Sequence, residues 1–153
     1  MKAGKELLDE ILAMKDWLVA TRRALHRIPE PGDAEFETQA ELCCVLDTLG
    51  IPFEKRGTSV VALVVGAMPG KVVGIRADMD ALPVNEPAER TYASCHKGYM
   101  HACGHDAHMT VALGAAKYFS ERRAELAGSV KILFQPAEET TGGAANMIAG
   151  GCL

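Results

Sequence analysis

The stretch SVVALVVGAMPGKVVGIRA, residues 59–77, decides how the fold is read. Two short β-branched runs, 59–66 and 72–77, flank Gly66 to Lys71, which contains the turn dipeptide Pro69-Gly70. That pattern predicts two strands joined as a hairpin. The second run passes straight into Asp78-Met79-Asp80, and a later strand, 129–134, passes in the same way into Gln135-Pro136-Ala137-Glu138-Glu139. In open α/β sheets, sites gather at the carboxyl ends of strands. Two acidic clusters at two such ends therefore point to one shared edge.

Helical segments surround these strands. Leu7, Leu8, Ile11, Leu12, Met14, Trp17, Leu18 and Leu25 recur at helical spacing and predict one amphipathic helix over 4–27, stopped by Ile28-Pro29-Glu30-Pro31-Gly32. A second helix fits 35–49, with Gly50 as its C-terminal cap. After a loop of about thirty residues, far longer than most connections, a third helix fits 106–124. A short helical stretch follows at 142–149. This order predicts an α/β domain with a mixed sheet flanked by helices.

The 153 residues suit one domain that buries a real core, and 48% hydrophobic against 24% charged residues reads as globular rather than disordered. The net charge is −4, and no run of Lys or Arg marks a nucleic-acid partner. The N-terminus mixes charges through its apolar positions, unlike a signal peptide, and no apolar run is long enough to span a membrane. Five cysteines, with Cys43 and Cys44 adjacent, argue against a disulfide framework and for a reducing, cytoplasmic setting.

The chemistry concentrates in MHACGHDAH, residues 100–108. His101, Cys103 and His105 alternate, so in an extended segment they face one point; His105 and His108 share a face of the first helical turn. Thiolate and imidazole are borderline-soft ligands suited to zinc and other first-row ions. Metal binding is the leading reading, and a Cys103–His105 nucleophile pair is its rival. Glu138 and Glu139 follow a buried-looking strand, where one acid can bind a metal and the other take a proton from water. Spacing alone leaves Asp78 and Asp80 open between loop caps and a role as ligand or as acceptor for a ligand histidine.

Four segments, HRIPEPGDAEFET (26–38), RADMDALPVNE (76–86), MHACGHDAHMTVALGAA (100–116) and FQPAEETTGGAANMIAGG (134–151), closely resemble the M20 metallopeptidase family, above all its amidohydrolase branch of hippurate, N-acyl-amino-acid and auxin-conjugate hydrolases. The resemblance implies a zinc-peptidase-like α/β catalytic domain that hydrolyses the amide bond of N-acyl amino acids with one or two divalent ions: zinc, manganese or nickel. It implies Cys103, His105 and Glu139 as metal ligands, Glu138 as general base and Asp80 as the residue that orients the site. Asp78 stands where other branches have a ligand histidine, and Ile28 where a second polar residue is common.

Family members are longer, with further ligand histidines downstream. Residues 1–153 are therefore expected to be an N-terminal part of the catalytic domain, without the dimerisation domain and C-terminal part. Little activity alone and self-association through an uncovered edge are the corresponding expectations. The alternatives are a non-catalytic remnant acting through metal binding or association, and a metal-free Cys103 hydrolase.

Overall fold

The computed structural model describes residues 4–87 and 89–153. Helices α1 (Gly4–Ala13), α2 (Lys15–His26) and α3 (Phe36–Thr48) come first, then strands β1 (Phe53–Arg56), β2 (Ser59–Val65) and β3 (Met68–Asp78). Helix α4 (His105–Ser120), strand β4 (Ala127–Gln135) and helix α5 (Ala144–Ala149) complete the order. None of the described helices is long and apolar enough to cross a membrane.

The four strands lie in the order β1-β2-β4-β3. β1 and β2 form the hairpin, turning at Gly57, while β4 runs antiparallel to β2 and parallel to β3. The expected hairpin between 59–66 and 72–77 is thus absent, because β4 separates the two runs. The reason is burial. β4 alternates Val130, Ile132 and Phe134 into the core, and these side chains are almost wholly enclosed. β3 stays open over most of its length, with Val72 59% and Val73 60% exposed. The strand with most to bury takes the central place, and β3–α4–β4 becomes a parallel crossover unit spanned by a helix.

The chain steps from β2 to β3 across the start of β4, and glycine makes this crossing possible. The Gly66 amide donates to the Gly128 carbonyl at 2.9 Å. A Cβ on Gly66 would sit 2.2 Å from the Leu126 carbonyl oxygen, and one on Gly128 (φ 83°) 2.0 Å from that of Lys71.

α3 packs on β2, while α4 lies across β2, β4 and β3 with α2 against its outer side. The core between them includes Leu25, Leu42, Leu46, Val60, Val64, Met109, Leu113, Ile132 and Phe134. The helix expected over 4–27 is broken at Met14, and no residue of α1 is buried. α3 matches its expected span, with Gly50 at φ 62° beyond its end. Its N-terminus is capped from a distance: Glu30 accepts hydrogen bonds from the amides of Glu37 (3.0 Å) and Thr38 (2.8 Å).

Gly128→Ala is expected to destabilise the chain by about 2–5 kcal/mol, combining a left-handed backbone penalty of ~1–2 kcal/mol with overpacking of ~1–3 kcal/mol. Denaturant unfolding measures this. A loss below ~0.5 kcal/mol would mean that the crossing tolerates a side chain.

Candidate metal centre

The parallel register sets Asp78 beside Gln135, and the Met79 amide donates to the Gln135 carbonyl at 2.9 Å. Both chains therefore leave the sheet at the same edge. The first carries Asp80 onward and the second carries Glu138 and Glu139. Asp80 then joins the segments directly. One of its carboxylate oxygens accepts the Glu139 amide at 2.9 Å, and the other lies 3.2 Å from His105 Nδ1.

His105 opens α4 behind Gly104, whose φ of 87° turns the chain into the helix. Its Nδ1 hydrogen-bonds the Asp80 carbonyl oxygen at 2.8 Å, which makes Nδ1 the donor and turns Nε2 toward the acids. Nε2 lies 3.8 Å from Glu139 Oε1. One ligand atom from each of His105, Glu138 and Glu139 falls within a 4.8 Å cluster. An imidazole nitrogen and two carboxylates this close form a nitrogen and oxygen donor set that fits a divalent ion.

The charges follow from these contacts. Burial pushes the Asp80 carboxyl up. The hydrogen bond with His105, the amides of Glu139 and Glu138 and the nearby imidazole charge outweigh it, and the net shift is downward. His105 is its counterpart: burial pulls it down, but Asp80 and Asp78 raise it overall. The Cys103 thiol is raised, chiefly by its hydrogen bond with Glu139 and then by desolvation and the charges of Glu139, Glu138 and Asp80.

Residues 101–104 form a turn rather than an extended run, so His101, Cys103 and His105 do not face one point. Cys103 is exposed beside Glu139 and lies outside the 4.8 Å cluster, whereas His101 is buried. Burial pushes the His101 imidazole down to about 4, against the pull of Asp106. His108 does share a face with His105, their ring centroids 5.3 Å apart, and its Nδ1 reaches Asp78 Oδ2 at 3.3 Å. These three residues form a second group within 4.8 Å, but Asp78 is also paired with Arg76.

Sequence reading missed His26, Glu86 and Glu35. Glu35 Oε1 accepts the Ala137 amide at 2.8 Å and pins a residue held at φ 53°, immediately before Glu138. The only sequence signal was their place inside the resembling segments.

Residues 74–153 match peptidase family M20/M25/M40. Thermostable carboxypeptidase 1 of Saccharolobus solfataricus is 38% identical over 158 residues, covering 100% of this chain and 40% of its own. The N-acyl-L-amino acid amidohydrolase of Geobacillus stearothermophilus is 43% identical over 152 residues, covering 97% and 40%. A Bacillus subtilis crystal structure, described as a dinuclear metal binding peptidase from the M20 family, superposes with a TM-score of 0.86 at 40% identity, over 91% of this chain and 40% of that one. The chain thus spans about 40% of the length of each of these proteins.

Glu35 yields a pH prediction. Burial raises its pKa above 4.5, against weaker opposition from the Thr58 hydroxyl and the amides of Glu35, Ala137 and Asp33. A carboxyl raised on folding contributes stability below its unfolded pKa, and this is lost as pH rises through the folded value. Glu35→Gln keeps an acceptor for Ala137 without the charge. It is expected to raise Tm by a few degrees at pH 7, with the gain vanishing below about pH 4. Thermal melts across pH that show no such crossover would refute this account of Glu35.

Proposed function

Since the chain belongs to peptidase family M20/M25/M40, we propose that it supplies part of the metal-bearing face of a hydrolase that cleaves the amide bond of N-acyl amino acids. The observation that carries this reading is the convergence of His105, Glu138 and Glu139 at the joint carboxyl ends of β3 and β4. We assign His105, Glu139 and Cys103 as ligands, a mixed imidazole, carboxylate and thiolate set that suits zinc, manganese or nickel. Two clusters sharing His105 are compatible with one ion or two. When bound, a divalent ion polarises the scissile carbonyl and acidifies water.

The chain's own groups do the rest. In this reading Glu138 takes the proton from the attacking water and returns it to the leaving amine. Asp80 orients His105 twice, through its carbonyl oxygen and its carboxylate. A metal-free Cys103 nucleophile is disfavoured, because acidic neighbours raise its thiol rather than activate it. All five cysteines are unpaired, which supports a reducing, cytoplasmic setting.

Metal analysis with an amidase assay on hippurate-type substrates tests the assignment. His105→Ala and Cys103→Ala are expected to lose bound metal, by at least tenfold in affinity. Glu138→Ala is expected to keep its metal and lose any turnover by ~100-fold or more. Metal retained by His105→Ala, or activity that survives chelators, would overturn it.

A further inference from the structure

His26 ends α2 and is buried. Its ring bridges two carboxylates, with Nδ1 2.8 Å from Asp106 Oδ2 and Nε2 3.0 Å from Glu86 Oε1. The side chains of all three are at most 3% exposed. Glu86 also accepts the Ser94 amide at 2.6 Å, and Asp106 accepts from Arg22 Nε at 3.0 Å. The edge of Tyr92 packs on the His26 ring, with centroids 5.4 Å apart, and Arg23 stacks over Tyr92. These groups sit behind the ligand cluster and take no part in it.

The segment 79–104 carries Asp80 near one end and Cys103 near the other. Its described residues contain no helix or strand, only the isolated bridge Leu82–Met100. So long an irregular segment has to be held from outside. A single region, the end of α2 and the turn after it, supplies four of its holds. The Cys95 amide donates to the Arg27 carbonyl (2.8 Å), the Ala81 amide to the Glu30 carbonyl (2.8 Å), and His96 Nδ1 bonds the Pro29 carbonyl oxygen (3.0 Å). His26 supplies the fourth through Glu86 and alone among these also grips α4, because Asp106 directly follows the ligand His105. Without a group between them, the two buried carboxylates would keep only the half-exposed Arg22 and Arg90 at their outer sides and lose the link that joins them. The rigid imidazole presents nitrogens on opposite sides, whereas an amide side chain reaches only one of the two acids.

We propose that His26 is a positioning residue. By bridging Glu86 and Asp106 it locks the 79–104 segment to the first turn of α4, and so keeps the Asp80 carbonyl on His105 Nδ1. The proposal rests on the metal-site reading above and adds to it a support outside the ligand set.

The test compares the chain with His26→Gln, His26→Ala and Glu86→Gln, using Zn²⁺ titration against a chromophoric chelator and amide hydrogen exchange. Expected are a 10–100-fold weaker Zn²⁺ affinity in the His26 variants and faster exchange across 82–106, with β1 and β2 unchanged. Arg90→Ala removes only a contact at the solvent edge of Glu86 and should leave both readouts as they are. Lower Tm with unchanged Zn²⁺ affinity would show that His26 is merely structural and overturn the proposal. Should the His26 variants fail to fold, Glu86→Gln carries the same comparison. If the unaltered chain takes up no Zn²⁺, the metal reading fails by itself. The exchange arm then decides the bridge, and unchanged exchange at 82–106 overturns it.

Discussion

The site depends on the place of one strand. Because β4 lies between β2 and β3, and parallel to β3, Asp78 meets Gln135 and both acidic segments leave the same edge. That arrangement requires the β2–β3 connection to pass over the start of β4 at backbone-to-backbone distance, where Gly66 and Gly128 leave no room for a side chain. The chemistry at one end of the sheet therefore rests on a steric allowance at the other. A one-residue slip of β3 against β4 would reverse which face each acid addresses.

At the working end, Asp80 is the hub. It receives the Glu139 amide, approaches His105 with its carboxylate and holds the same ring with its carbonyl. These contacts fix which imidazole nitrogen turns toward the acids, and they seat the Glu138–Glu139 turn that Glu35 braces from behind through Ala137. The result is an arrangement in which His105, Glu138 and Glu139 each bring one donor atom into the same small space.

The sequence made the helices and the acidic strand ends readable, because periodicity and glycine or proline boundaries report local structure. It left the strand order unreadable. Pro69-Gly70 marks a turn, but whether β3 folds back on β2 or passes beyond it depends on β4, which is far away in the chain and more deeply buried. The break at Met14 also escaped notice, since neither proline nor glycine marks it and α1 buries nothing that would hold it in line with α2. At the site, the cluster 100–108 drew attention to His101 and Cys103. The turn at 101–104 then sends one inward and the other out. His26 and Glu86 stayed invisible because each looks ordinary until a partner sixty residues away is brought beside it.

The strand that joins β2 to β3 is the last of these four in sequence. During synthesis β2 and β3 emerge well before the strand that both require. Until β4 arrives, each has a bare edge, and β3 also carries the uncovered pair Val72 and Val73. Such long-range pairing slows folding and leaves a window for wrong partners. For these four strands, the exposed interval therefore falls before β4 is made.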